Sequence, residues 1–425
     1  MITEKLTNIN MVIASAFFLL YVYQIFFILV PFIKKDEPHK KTKLHRFAVM
    51  ISARNEENVI AQLIRSLKEQ DYPQDMMDVF VVADNCTDAT ASIARDAGAI
   101  VYERFNTEQV GKGYALDFLI GKIFKRYGKD YYDAFMVFDA DNILEKNYVT
   151  EMNKTFSDGH RIITSYRNSK NYGTNWISAG YALWFLRESK YLNNARMLMN
   201  TSCAISGTGF LVHKDIIKKN NGWKCFLLTE DIQFSIKSVI DGEKIAYCKD
   251  AVLYDEQPVT FSQAWTQRLR WARGFLEVFA HHGSKLISTM FKTGSFSCYD
   301  MTMTILPSIF LSFVTAAMNI AGSAIALYNG ESISQLLAGL GYWILNVYLS
   351  IFVLGLITTI TERKQIHCST KKKILYMFTF PIYLFTYIPI SIAAVFRQVK
   401  WEPIQHGNAV APELLKETNV KDKAE

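Results

Sequence analysis

Several short polar clusters in this sequence carry residue types that could work together on one reaction. Asp139-Ala140-Asp141 directly follows the uncharged run Ala134–Phe138. Two carboxylates at i and i+2 off a strand end can share one divalent cation, and Mg2+ or Mn2+ with such oxygen ligands commonly bridges substrate phosphates. The plainer reading is a solvated acidic turn. Asp84 ends another apolar run and could accept hydrogen bonds from a nucleobase or ribose. It could equally cap a helix, although Thr87 or Asp88 could serve there instead. Gly111-Lys112-Gly113 precedes a helical pattern; glycines allow close backbone approach, and a lysine at a helix N-terminus favours anions. Thr229-Glu230-Asp231 offers carboxylates that could take a proton from an attacking hydroxyl, or a helix start with Thr229 as cap and acids on the dipole. Ser206-Gly207-Thr208-Gly209-Phe210 is either a turn or a platform that lets a bulky molecule approach the backbone. In Gln267-Arg268-Leu269-Arg270-Trp271-Ala272-Arg273-Gly274, a helix would place Gln267, Arg270 and Trp271 on one face. There Arg270 could grip a diphosphate and Trp271 could stack on a pyranose ring. An amphipathic helix at a membrane surface, with snorkelling arginines and a Trp anchor, explains the same residues.

The elements around these clusters alternate. Phe47–Ser52 reads as a buried parallel strand, followed by the polar Ala53–Glu57 and a helical pattern over Val59–Glu69. Val79–Ala83 is the next strand, then a helix through Ala97, a strand at Ile100–Tyr102, a helix over Gly113–Tyr127 and the strand Ala134–Phe138. This alternation predicts an α/β, doubly wound sheet. The polar clusters fall at strand C-terminal ends, where such sheets bind ligands.

The chain has 425 residues, 50% hydrophobic, 14% aromatic and only 20% charged, which is membrane-protein composition rather than that of a soluble domain. Its net charge of +7 suits a neighbour of anionic lipid or an anionic substrate and is too dispersed to indicate nucleic acid. The six cysteines show neither CxxC nor zinc-ligand spacing and read as free thiols. Apolar stretches at 11–33, 301–328 and 336–360 are long enough to cross a bilayer. The basic flank from Lys34 to Arg46 places the large domain in the cytoplasm and the N-terminal tail of residues 1–10 outside. The stretch 374–396 contains Pro381 and Pro389 and reads as a broken interfacial or re-entrant element rather than a fourth crossing. The expected organisation is therefore a cytoplasmic domain at 34–260, amphipathic interface helices at 261–300, and a cytoplasmic tail at 397–425, in a multi-pass protein of the cell membrane.

The ordered set Asp84, Asp139-Ala140-Asp141, Thr229-Glu230-Asp231 and Gln267-x-x-Arg270-Trp271 resembles the membrane-bound family-2 glycosyltransferases, among them the cellulose, hyaluronan, poly-N-acetylglucosamine and bacterial β-glucan synthases. The resemblance runs from about Phe47 to His406. It implies a GT-A (Rossmann-like) catalytic domain, a UDP-sugar donor with Mg2+ or Mn2+, and a single inverting displacement with Asp231 as general base. The nucleotide would be held by Ala53, Glu56, Asp84, Lys112, Asp139 and Arg270. Trp401 and His406 would close over it, because Lys400–His406 resembles the family's gating segment. The metal would lie on Asp139, Asp141 and His406. The acceptor would meet Gly207, Thr208, Gly209, Glu230, Gln267 and Trp271. The implied function is polymerisation of a β-linked polysaccharide, a β-1,3, β-1,4 or mixed-linkage glucan from UDP-glucose. The alternative is a non-processive or poly-N-acetylglucosamine-type transfer from UDP-N-acetylglucosamine or another UDP-sugar to a glycan or lipid-linked acceptor. The chain departs from cellulose and hyaluronan synthases in having fewer spans. A channel so thin implies cooperating protomers, an export partner or a non-processive enzyme.

Overall fold

The computed structural model describes residues 2–305, 307–330 and 332–401. Its centre is an eight-stranded sheet in the order β3-β2-β1-β4-β7-β6-β8-β5. The strands are β1 (Phe47–Ala53), β2 (Met77–Asp84), β3 (Ile100–Arg104), β4 (Ala134–Asp139), β5 (Ile143–Leu144), β6 (Ile162–Ser169), β7 (Phe210–His213) and β8 (Ile245–Asp255). The first four are parallel, while β7 runs antiparallel between β4 and β6. The expected α/β GT-A arrangement is present, with a mixed second half that a purely doubly wound sheet would lack.

The parallel half forms where the sequence is continuously apolar, because both faces of the sheet are covered. On one face, Leu116, Leu119, Ile120 and Ile123 of the helix Lys112–Tyr127 pack on Phe80, Phe135 and Phe210. On the other, Ile60, Leu63, Ile64 and Leu67 of the helix Ile60–Lys68 pack on Val49, Ile51 and Val81. Chain order reverses direction between β2 and β4 on either side of β1, which opens the crevice at the strands' C-terminal ends. The register fixes what lines it. Ser52 stands opposite Asp139, Ala53 opposite Ala83, and Asp84 opposite Arg104.

Among the described residues, three helical stretches could cross a membrane by length and composition: Asn8–Ile33, Leu336–Thr361 and Thr370–Phe396. A shorter apolar stretch, Ala317–Tyr328, ends the helix Pro307–Tyr328. The N-terminal helix starts at Ile2, so the expected tail of residues 1–10 is largely helical. The Asn10 and Asn319 side-chain amides bond each other at 2.7 and 3.0 Å, joining that helix to Pro307–Tyr328. The stretch at 374–396 consists of two helices, Thr370–Phe385 and Tyr387–Phe396, joined at Thr386. Its start is tied to the α/β domain by Lys372, whose Nζ donates to the Gly173 carbonyl at 2.8 Å. Its middle lies so close to the helix Trp176–Arg187 that a Cβ on Gly180 would fall 2.3 Å from the Tyr383 ring. Beyond its end, the Trp401 ring stacks on the Arg54 guanidinium at 5.1 Å.

Candidate active site

The two glycines around Lys112 set the geometry of one wall. Gly113 lies against the Cys225 carbonyl, where a Cβ would fall only 2.0 Å away, so the start of the helix Lys112–Tyr127 presses on the loop leading to Thr229. Gly111 has a φ of +130°, a backbone conformation that glycine adopts without strain. Lys112 is thereby aimed across the crevice. Its Nζ pairs with the Asp139 carboxylate and donates to the Gly207 carbonyl at 2.8 Å. Burial disfavours its charge, but Asp139, Glu230 and Asp231 outweigh burial and hold its pKa above the usual lysine value.

The strand-end acids are each tied in place. Arg104 Nη1 donates to Asp84 Oδ1 at 2.5 Å, and both side chains are buried. Asp141 accepts from the Glu256 amide at 2.8 Å and from Asn142 Nδ2 at 3.2 Å. The Asp139 amide donates to Thr208 Oγ1 at 2.9 Å. A third acid, Asp255, ends β8 and is held by Arg167, whose Nε donates at 2.6 Å, and by Gln257. Burial raises the Asp255 pKa to about 6; the charges of Asp141 and Asp139 add to this against the pull of Arg167. Among the described residues no three His, Cys, Asp or Glu side chains form a ready-made metal cluster. A divalent cation nevertheless fits the donor set. Asp139 and Asp141 both line the cleft, and the negative charge that burdens Asp255 is what a cation would relieve. His406 lies outside the described residues.

Opposite stands the start of the helix Glu230–Ile240. Thr229 occupies the N-cap position but makes no capping bond, and its Oγ1 is buried without a partner. Glu230 and Asp231 are both raised in pKa, chiefly by burial. Glu230, further burdened by the Asp231 charge, reaches about 7, while Lys112 and Arg270 moderate both. A Cβ on Gly207 would lie 3.9 Å from both Asp139 Oδ2 and Asp231 Oδ2, so the two acids flank this glycine (φ +80°).

The helix Phe261–Thr293 closes the third side. Gly274 lets it approach: a Cβ there would fall 2.5 Å from the Thr229 side chain. Gln267, Arg270 and Trp271 all face the cleft. Arg270 Nη1 donates to the Leu228 carbonyl at 3.2 Å, and Trp271 is braced edge-on by Tyr181 and Phe185 at 5.7 and 6.2 Å. Gln267 Oε1 is buried with no hydrogen-bond partner. Arg268, between them in sequence, points away and is buried among Tyr181, Tyr383 and Tyr387.

The structure thus gathers most of the expected residues around one cleft of about 860 Å³, lined by Ala53, Glu56, Asp84, Lys112, Asp139, Asp141, Gly207, Glu230, Asp231, Gln267, Arg270, Trp271 and Trp401. Two expected acceptor residues do not line it. Thr208 is buried with its hydroxyl engaged by Asp139 and Asn142, and a Cβ on Gly209 would fall 2.0 Å from Leu253. They hold Gly207 and Asp139 in position instead. Arg104, Asp255, Arg167 and Arg187 were missed. Asp255 carried a readable signal, an acid closing an apolar strand, as Asp84 and Asp139 do.

A strand-end cleft with paired acids, a half-buried lysine and a facing carboxylate pair thus sits on an α/β sheet of the GT-A type. A model of the glycosyltransferase-like family 2 matches residues 45–274, more than half of the chain, and the protein belongs to that family. It is similar to a probable glycosyltransferase, YdaM, of Bacillus subtilis, 27% identical over 55% of this chain and 56% of that protein. It is also similar to the β-monoglucosyldiacylglycerol synthase of Synechocystis, 26% identical over 53% of this chain and 47% of that one. The poly-β-1,6-N-acetyl-D-glucosamine synthase of Staphylococcus epidermidis is 24% identical over 68% and 72%. The alignments to the first two span about half the length of those relatives. The fold matches a mannosyltransferase of Pyrobaculum calidifontis solved with GDP-Man and Mn2+, at a TM-score of 0.59 and 16% identity, over 92% of this chain and 99% of that one.

Proposed function

We propose that the protein transfers a hexose from a UDP-sugar to an acceptor hydroxyl by one inverting displacement at the membrane surface. The observation that carries this is Asp231, a half-buried carboxylate that faces Asp139 across Gly207. Burial raises the Asp231 pKa, which makes it a stronger base than a surface aspartate. On this reading Asp231 takes the acceptor proton, the acceptor oxygen bonds to the anomeric carbon, and the diphosphate leaves from the opposite face. An α-linked donor then gives a β-linked product. Asp84, fixed by Arg104, binds the uridine; Ala53 and Glu56 border it; Trp401 covers it, stacked on Arg54. Lys112 and Arg270 offset charge on the diphosphate. A divalent cation on Asp139 and Asp141 would supply the rest of that charge. Trp271, with Glu230 and Gln267 beside it, orients the acceptor sugar or head. Because both ends of 374–396 rest on the catalytic domain, we read this segment as re-entrant, with the catalytic domain and chain end on the cytoplasmic face.

The Gln-x-x-Arg-Trp helix favours a second reading, polymerisation of a β-glucan from UDP-glucose, perpetuated by an acceptor chain that steps past Trp271. Turnover of the purified full chain with radiolabelled UDP-glucose, UDP-N-acetylglucosamine and GDP-mannose, with Mn2+ and with EDTA, tests both readings. Metal-dependent use of a UDP-sugar is expected. Preference for the guanine nucleotide would refute the donor assignment, and long product cut by a β-glucanase would favour polymerisation.

A further inference from the structure

The cleft does not end at Trp271. The same cavity continues past Phe275 to Phe17, Phe18 and Tyr21 of the N-terminal helix, Met303 of the helix Phe296–Ile305, and Ile388 of the kinked segment. Phe17 and Phe18 lie inside the stretch Asn8–Ile33, which is apolar enough to span a bilayer. They stand six to seven residues beyond Gln24, roughly 10 Å further along the helix axis. Gln24 marks where this helix leaves the catalytic domain, because its Oε1 accepts from Arg187 Nη2 at 3.0 Å. The reaction centre and a membrane-depth apolar chamber are therefore one space.

Several of the described polar groups in that chamber bond to its own backbone or to one another. Tyr21 OH donates to the Met303 carbonyl at 2.7 Å, and Thr304 Oγ1 donates to the Asp300 carbonyl at 2.9 Å. Tyr23 and Arg196 both engage the buried Asp300 carboxylate. The described wall facing the cavity is mainly hydrocarbon and aromatic ring: Phe17, Phe18, Phe275, Met303 and Ile388. A glycan strand there would leave hydroxyl after hydroxyl without a partner, at a cost of about 1–3 kcal/mol each, whereas an acyl chain would lose nothing. At the border between chamber and reaction centre, Arg187 Nε and Gln267 Oε1 are buried without hydrogen-bond partners. They offer one donor and one acceptor to a polar head.

The head is uncharged by the same logic. Arg196 is paired with Asp300, and the Glu188 charge acts on Arg187. Beyond the border stands Asp231, a base that an uncharged hydroxyl needs and a phosphate oxygen does not. We propose that the acceptor is a lipid alcohol, an uncharged hydroxyl head on hydrocarbon chains. It enters sideways from the bilayer between the N-terminal helix and the kinked segment. This rests on the transferase reading above. The hydroxyl proton passes to Asp231, the lipid oxygen bonds to the anomeric carbon, and the sugar–phosphate bond breaks with its electron pair leaving on the diphosphate. Arg187 donates to the head's remaining oxygen.

The test uses full-length protein in lipid nanodiscs with radiolabelled UDP-hexose. Dioleoylglycerol is the acceptor, and a diacylglycerol with a diazirine in one acyl chain is the photoprobe. Label should move into solvent-extractable glycolipid, and the probe should crosslink near Phe17–Tyr21 or Ile388. Ile388→Trp, which fills the chamber, should raise the KM for dioleoylglycerol at least tenfold while UDP affinity stays within twofold. Arg187→Gln should raise that KM several-fold. Label confined to water-soluble glycan, transfer to a polyprenyl phosphate but not to dioleoylglycerol, or crosslinks only on the outer faces of the membrane helices would overturn the lipid-alcohol assignment while leaving the transferase reading intact. Failure of wild-type protein to bind UDP would instead bring down the transferase reading and this inference with it.

Discussion

The two sides of the cleft are built on opposite plans. On the donor side, Asp84, Asp139 and Asp141 each already hold a partner: Arg104, Lys112 and the Glu256 amide. On the acceptor side, Thr229 Oγ1, Gln267 Oε1 and Arg187 Nε are buried with none, and Glu230 and Asp231 share a space that raises both pKa values. A prepaired wall suits a ligand of fixed shape such as a nucleotide, since nothing must reorganise when it binds. A wall with open hydrogen-bonding capacity and a strained charge pair suits a molecule that brings a hydroxyl to lose. On the proposed reading, donor binding and proton removal reside on separate elements and should separate under mutation.

The sharpest break in that comparison is Asp231→Asn. Transfer should fall by about a hundredfold to ten-thousandfold, the usual worth of a positioned base, while calorimetry finds UDP affinity within twofold of wild type. Asp141→Ala should do the reverse, lowering UDP affinity more than tenfold in Mn2+ and leaving the weak metal-free binding unchanged. Equal affinity with and without metal in the parent protein would end the metal assignment.

Gly113→Ala tests whether the two sides depend on one contact. Its Cβ would meet the Cys225 carbonyl at 2.0 Å, so the helix must retreat. Overpacking of this kind costs about 1–3 kcal/mol, read as a lower melting temperature and weakened transfer together. Trp271→Ala should raise acceptor KM about tenfold with donor KM unchanged; the opposite split would move Trp271 to the donor side. The smallest effect concerns pH. Asp231 must be ionised to act, so activity should rise with pH through its raised pKa. The Asp231 charge raises Glu230 to about 7, so Glu230 is already neutral where Asp231 ionises, and Glu230→Gln should leave the acid limb of the kcat/KM profile nearly in place. A clear shift in either direction would contradict the pairing.

The donor side was largely legible in the sequence, because it is local. Asp84 and Asp139 are the last residues of apolar parallel strands, and such strands announce their C-terminal ends by the change from hydrocarbon to charge. The face shared by Gln267, Arg270 and Trp271 follows from helical spacing alone. What was not legible depends on register and on distant packing. Arg104 reaches Asp84 only because β2 and β3 pair in that register. Thr208 looked like an acceptor contact because it sits in a glycine-rich loop, yet its hydroxyl turns inward to the Asp139 amide. Arg187 and Phe18 carry no motif, and only the meeting of the N-terminal helix with the helix Trp176–Arg187 joins them to the site. The mixed half of the sheet was missed because β7 and β6, antiparallel neighbours, are separated by a helical excursion that hides their pairing.

The most direct measurement is the anomeric configuration of the first product, read by nuclear magnetic resonance after wild-type protein has turned over an α-linked UDP-hexose in Mn2+. One base facing the donor across Gly207 predicts a β-linked sugar with no detectable α product. An α-linked product would require two displacements or a front-face attack, and would contradict the role given to Asp231.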